Sequence, residues 1–72
     1  MTIGYYVQAA VGGGPHGATK YHFSTREDAE AEAVRLSSEP DAFMLDIVEY
    51  DQFETERLVG CATKGMLRRI DT

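Results

Sequence analysis

The chain has 72 residues, of which 43% are hydrophobic, and a formal net charge of −5. This length allows one domain near the lower size limit for a hydrophobic core, and this composition excludes a disordered polar chain. With one cysteine no internal disulfide can form, and neither a signal-peptide pattern nor a membrane-length apolar run is present. We therefore expect a single small acidic domain over residues 1–72, soluble and cytoplasmic.

Period-two alternation predicts two strands at the start of the chain, over residues 3–11 and 18–23. The glycine-rich residues 12–17 separate them, so a β-hairpin with a long loop is expected. This loop matches the G-x-G-x-x-G pattern of dinucleotide sites. However, a strand follows it where that site needs a helix, and Pro15 removes one N–H. A plain hairpin loop is the stronger interpretation.

Residues 24–28 carry the signals of a helix start. Ser24 and Thr25 each have a carboxylate three residues later, so either hydroxyl can form a capping box. The helix is expected over roughly residues 25–38, because the residue before Pro40 is pushed out of the helical region.

The helical wheel gives a single apolar stripe that should pack on the sheet, made of Ala29, Ala33 and Leu36. On this wheel Glu30 points away from the stripe. Together with the strand patterns, the stripe predicts a core made of Val7, Tyr21, Phe23, Ala29, Ala33, Leu36, Phe43, Leu45, Ile47 and Leu58.

Two further strands follow the helix. Residues 42–50 alternate, residues 51–55 indicate a turn, and residues 56–63 form a fourth strand. Residues 64–70 could be a short fifth strand or a packed extension. The order β-β-α-β-β predicts an α+β fold, a four- to five-stranded antiparallel sheet with one helix on one face.

The sheet face away from the helix is predicted to be half apolar, which is typical of contact surfaces. Its members are Tyr6, Ala10, His22, Met44, Val48, Tyr50, Val59 and Cys61, with Gln8, Lys20 and Asp46 among them. Three interpretations stay open. Residues 64–72 could fold back across this face through Met66, Leu67 and Ile70, two copies could pair through it as a homodimer, or another protein could bind it.

No constellation of residues indicates catalysis, a metal or a cofactor. The nitrogen and sulfur ligand candidates besides methionine are His16, His22 and Cys61, which lack the paired short spacings of a zinc site. No orienting group or oxyanion loop supports a Cys–His nucleophile. We therefore expect a protein that is not an enzyme.

The distribution of charge is the main functional clue. Residues 26–56 hold eleven carboxylates and two arginines, a net −9, whereas residues 1–25 sum to +1 and residues 57–72 to +3. Such a field attracts basic surfaces and repels nucleic acid. It favours a basic protein or protein complex as partner, with no direct nucleic-acid or membrane binding.

The acidic cluster has two interpretations. It can be a solvated face that keeps a small protein soluble, with Glu32 and Arg35 in weak local pairs. It can instead be a DNA-mimicking footprint that docks on a Lys/Arg-rich, nucleic-acid-handling surface and blocks it. The candidate partner-binding residues are Glu27, Glu30, Glu32, Glu49, Asp51, Glu54, Tyr6 and Tyr50.

Residues 21–33 read YHFSTREDAEAEA and residues 43–49 read FMLDIVE. This strand, S/T-R-E-x-A-E helix and apolar strand resemble the pattern of many tiny phage and prophage proteins. Some small phage anti-CRISPR proteins are similar in size and β-β-α-β-β order. The resemblance covers roughly residues 19–50 and carries over no functional residue. It implies a host- or defence-directed inhibitor that binds a protein complex in the host cytoplasm.

Two other functions stay open. One is a small-ligand binder or sponge that holds a nucleotide signal at residues 12–17, and the other is a structural or housekeeping phage protein.

Overall fold

The computed structural model describes residues 2–9, 20–40 and 44–70. The elements in chain order are β1 (Thr2–Ala9), β2 (Tyr21–Phe23), α1 (Arg26–Ser37), β3 (Leu45–Asp51), β4 (Glu56–Thr63) and β5 (Met66–Arg69). The strands form one antiparallel sheet in the order β2-β1-β3-β4-β5, and α1 packs on one face. The predicted α+β fold is confirmed, with a fifth strand. Ala10, Phe43 and the predicted loop at residues 12–17 lie outside the described residues.

Of the two possible caps, Thr25 begins the helix. Its Oγ1 accepts a hydrogen bond from the backbone N–H of Asp28 at 3.2 Å. At the other end, the Ser37 hydroxyl donates to the carbonyl of Val34 at 3.0 Å and accepts the N–H of Gly65 at 2.9 Å. The end of the helix is thereby attached to the turn between β4 and β5. Within the described ranges, no helix is long and apolar enough to cross a membrane.

The core lies between α1 and the sheet. Its buried members are Val7, Ala29, Ala33, Leu45, Ile47, Val59 and Ala62, and Tyr5, Tyr21, Phe23, Val34 and Leu36 pack around them. The two helix alanines are fully buried, so the helix backbone lies close to the strands. The described members of the predicted core are confirmed, except for Leu58.

A β-bulge in β4 explains why Leu58 is not in the core. Ile47 pairs with Gly60, but the next residue, Val48, pairs with Leu58, so Val59 is an extra residue on the β4 side. The bulge brings Val59 into the core, with 2% of its surface exposed, and leaves Leu58 41% exposed on the other face. The prediction that Leu58 is a core residue and that Val59 lies on the open face is therefore wrong.

A two-residue turn makes residues 66–69 a strand. Lys64 and Gly65 both have positive φ, 50° and 80°. This is the geometry of the type I′ turn, whose twist matches that of the strands on either side. Gly65 also lies close to the helix end, since a Cβ there would be 2.8 Å from the Ser38 hydroxyl oxygen.

We expect the Ile47→Ala substitution to lower the free energy of unfolding by about 2–5 kcal/mol, because it leaves a cavity in a fully buried site. Leu58→Ala removes side-chain volume from the neighbouring strand but should cost less than about 1 kcal/mol. Urea unfolding of both variants measures the difference. A larger loss for Leu58→Ala would contradict the register imposed by the bulge.

Candidate functional site

The sheet face opposite α1, here called the open face, is not covered by any of the described elements. β5 extends the sheet sideways beside β4 and does not fold across it. Met66 is exposed, and the N–H of Ile70 continues the pairing to the carbonyl of Val59 at 3.1 Å. The interpretation in which Met66, Leu67 and Ile70 fold back across the open face is therefore wrong, and residues 71 and 72 lie outside the described residues.

Three rings form a cluster on the open face. The ring centroid of Tyr6 lies 5.9 Å from that of His22 and 6.1 Å from that of Tyr50, and the latter two are 5.7 Å apart in an edge-on arrangement. The Nδ1 atom of His22 is 3.3 Å from the Tyr50 hydroxyl. The sheet register explains the cluster, because Tyr6 pairs directly with His22, whereas Tyr50 pairs with Gly4 on the same face.

Gly4 makes room for one of these rings. A Cβ at this position would lie 2.7 Å from the hydroxyl oxygen of Tyr50. The tyrosine ring therefore lies across the glycine of the neighbouring strand and reaches toward Tyr6. A larger residue at position 4 would push it away from the cluster.

A lysine covers the central ring of the cluster. The Nζ atom of Lys20 lies 4.7 Å from the ring centroid of Tyr6, within the range of a cation–π contact. Only 6% of Tyr6 is exposed, although it belongs to the open face. Burial raises the pKa of the Tyr6 hydroxyl, and the carboxylates of Glu56 and Asp46 raise this pKa further.

The cluster forms the floor of a cleft, here called the tyrosine cleft, with a volume of about 620 Å³. The lining residues are Tyr6, Lys20, His22, Tyr50, Asp51, Gln52, Glu54 and Glu56. Three of them are carboxylates and one is a lysine, so the cleft is negative. It therefore combines aromatic surface with negative charge, a setting that suits a cationic group.

The turn between β3 and β4 forms one wall of the cleft. Asp51 shapes this turn, because its Oδ1 accepts the N–H groups of Phe53 and Thr55 at 2.9 and 3.0 Å. Glu54 has a φ of 63°, in the left-handed region that a residue with a Cβ rarely adopts. Phe53 is exposed at the tip of the turn.

The sequence predicts that Glu30 points away from the core face of the helix. This prediction is wrong. Only 6% of Glu30 is exposed, and its carboxylate accepts hydrogen bonds from Arg69 at 3.0 and 3.1 Å and from Arg26 at 3.3 Å. The hydrogen bonds from Arg69 are the main reason why its pKa is lowered, against the effect of burial. The buried helix face also includes Ser37, so it is rotated toward β5 from the predicted stripe.

The remaining acidic candidates lie on the helix side of the molecule. Glu49 pairs with Tyr5 across the strands, and its carboxylate accepts hydrogen bonds from Arg57 at 3.0 Å and from the Tyr5 hydroxyl at 3.4 Å. Glu32 accepts a hydrogen bond from the Nε of Arg35 at 2.6 Å, which lowers the pKa of Glu32.

The structure thus divides the predicted partner-binding residues into two groups. It brings four of them together at the tyrosine cleft: Tyr6, Tyr50, Asp51 and Glu54. The other four lie away from it, and among them Glu27 is exposed on the first turn of the helix.

Four residues that line the cleft are not among the predicted partner-binding residues, namely Lys20, His22, Gln52 and Glu56. The sequence did contain a signal for His22 and Lys20, because the strand alternation places both on the same predicted sheet face as Tyr6. The position of Glu56 in the cleft depends on the strand register, which places Glu56 opposite Tyr50. No local pattern around Glu56 indicates that pairing.

Within residues 2–9, 20–40 and 44–70, no group of three or more histidine, cysteine, aspartate or glutamate side chains could hold a metal ion. A comparison of the chain with protein-family models, curated proteins and solved structures finds no match.

We expect Glu30→Gln to lower the free energy of unfolding by roughly 2 kcal/mol at neutral pH, because it weakens charge-assisted hydrogen bonds to two arginines. The folded-state pKa of Glu30 is lowered, so its contribution is complete above the ordinary value of 4.5 and is lost as pH falls through the folded-state value. The difference between wild type and variant should therefore shrink in acid. Urea unfolding over a pH series measures it.

Glu32→Gln is the matched control. It also removes a carboxylate paired with an arginine, but the Arg35 side chain is largely exposed, so the loss should be below about 1 kcal/mol. Equal losses for the two variants at neutral pH would contradict a special role for Glu30.

Proposed function

We propose that this protein is a non-enzymatic binding protein, an inhibitor or adaptor that docks on a basic surface of another protein. The tyrosine cleft and the turn between β3 and β4 make the contact. The observation that supports this proposal is the combination of three tyrosine-cleft carboxylates with an aromatic floor on a sheet face that no described element covers.

The chemistry of the cleft favours arginine or lysine side chains on the partner. Tyrosine rings attract cations through their π faces, and Glu54 and Glu56 at the rim supply acceptors for N–H groups. Phe53, exposed beside this rim, supplies apolar area of the kind that anchors interfaces. Specificity would thus come from matched charge around an aromatic centre.

The helix carboxylates have a different part in this proposal. Glu30 and Glu32 are held by arginines of the same chain, so a partner's cations would have to compete with these internal pairs. Glu27 and Asp28 are exposed and add to the negative field that steers a basic partner toward the protein. We assign the direct contacts to the cleft and the steering to the helix.

A nucleic-acid-binding groove is the kind of surface that fits this site, because such grooves present arginine and lysine side chains to phosphates. By occupying it, the protein would exclude nucleic acid without any chemical step. The resemblance to small phage anti-CRISPR proteins implies an inhibitor that binds a protein complex, and this mechanism agrees with it. A nucleotide-signal site at residues 12–17 lies outside the described residues and has no observation in its favour.

A defined peptide tests the proposal. We expect an arginine-rich peptide to bind the wild-type protein in calorimetric titrations, and the same peptide with citrulline at each arginine to bind far more weakly. The double substitution Glu54→Gln and Glu56→Gln should weaken binding by roughly three- to tenfold, because each of the two rim charges contributes about 0.3–0.7 kcal/mol.

The double substitution Glu27→Gln and Asp28→Asn is the matched control, since it removes the same charge from the helix. It should change the affinity less than about twofold at physiological salt, where the Debye length is about 8 Å. A larger effect from the helix pair would move the contact to the helix and contradict the proposal. Sedimentation of the wild-type protein as a dimer that Tyr50→Ala dissociates would indicate self-association through the open face.

Two substitutions at Glu54 separate stability from binding. Glu54→Asn and Glu54→Gln both remove the charge, so both should weaken binding of the arginine-rich peptide to the same degree. Only asparagine tolerates the left-handed backbone well, so only Glu54→Asn should raise the free energy of unfolding, by up to about 1 kcal/mol. Thermal unfolding with peptide titrations measures both effects. Unchanged binding in both variants would remove Glu54 from the contact.

A further inference from the structure

We infer that Lys20 acts as an internal ligand of the tyrosine cleft. Its ammonium group occupies the cation position on Tyr6, and an arginine side chain of the partner takes that position when the complex forms. This inference rests on the proposed function, because it names the group that the cleft receives and the contact that must be exchanged.

The cation position is already present in the protein. The Nζ atom of Lys20 lies 4.7 Å from the centroid of the Tyr6 ring, while His22 and Tyr50 stand around the same ring. The lysine therefore covers a ring face that would otherwise open into the cleft. Together with these two rings, the lysine contacts a tyrosine of which only 6% is exposed, on a sheet face that none of the described elements covers.

The contact of Lys20 is of a kind that a partner can replace. Lys20 is exposed and precedes the edge strand β2. Within the described ranges, it has no carboxylate within salt-bridge distance. A cation–π contact at an exposed site is worth only about twofold to fivefold in an equilibrium constant. An ammonium on a flexible stem can therefore leave the ring at a small cost.

An arginine suits the vacated position better than the lysine does. Its guanidinium is planar and more weakly hydrated, so it stacks on an aromatic face at a lower cost in lost hydration. Its fork of N–H groups can also reach carboxylates at the edge of the ring, and Glu54 and Glu56 line the same cleft. The exchange of Lys20 for an arginine therefore adds hydrogen bonds that the lysine does not make.

The test compares Lys20→Gln with Lys64→Gln. Both substitutions remove one lysine, but Lys64 lies in the turn between β4 and β5, away from the cleft lining. The ligand is N-acetylarginine amide, and binding is followed through the NMR resonances of the Tyr6 and Tyr50 rings. We expect the Lys20→Gln protein to bind it about two- to fivefold more tightly than the Lys64→Gln protein.

Salt separates replacement of a contact from a change in the local field. At about 1 M salt the Debye length falls to about 3 Å, so a long-range charge effect disappears. At this salt concentration N-acetylarginine amide should still bind the Lys20→Gln protein more tightly, and the Tyr6 resonances should shift on binding. Three outcomes would each overturn the inference. They are equal affinities of the two variants, weaker binding by the Lys20→Gln protein, and resonance shifts at Tyr50 without shifts at Tyr6.

The two proposals fail in different ways. If the arginine-rich peptide binds the wild-type protein but the two lysine variants do not differ, the docking function stands and the internal ligand does not. If N-acetylarginine amide prefers the Lys20→Gln protein while the arginine-rich peptide fails to bind the wild-type protein, the cation position stands and the docking function fails.

Discussion

The backbone carbonyl of Val59 lies at the bulge of β4 and accepts hydrogen bonds from two directions. One comes from the guanidinium of Arg26 at 2.8 Å, and the other from the N–H of Ile70 at 3.1 Å. The same guanidinium reaches Glu30, which in turn holds Arg69. One carbonyl thus begins a chain of polar contacts that joins the start of the helix to the last two strands. Without the bulge, Val59 and Ala62 would face opposite sides of the sheet, so they would not both be buried in the core.

The carboxylates of this small acidic protein have different partners on its two sides. On the helix side, carboxylates at positions 30, 32 and 49 are held by arginines of the same chain, so much of the negative charge there stabilises the fold. On the open face, negative charge lies around the tyrosine cleft, and Lys20 is the one lysine or arginine among the described residues that line it. Among the residues that the structure describes, the open face has fewer internal ion pairs, and it is the side suited to an external cation.

The elements predicted well from the sequence are those with local causes. The capped helix start at Ser24 or Thr25, the alternation of β1 and β3 and the burial of Ala29 and Ala33 depend on residues only a few positions apart. The bulge at Val59 has no such signal, since it depends on how β4 fits against β3. The rotation of the helix that buries Glu30 depends on Arg69, which is distant in the chain. For the site, Tyr6 and Tyr50 followed from alternation, whereas the grouping of Glu54 with Glu56 required the hairpin register.

The position of β1 inside the sheet, between β2 and β3, has a consequence for how the chain folds. β3, β4 and β5 form a meander joined by short turns, so their contacts close small loops. β1 must instead pair with β3 across about forty residues, as Val7 does with Ile47. Closing that long loop costs entropy before any contact offsets it. We therefore expect the meander to assemble early and the insertion of β1 to set the folding rate. Because Tyr6 is on β1 and Tyr50 on β3, the tyrosine cleft exists only after that slow step.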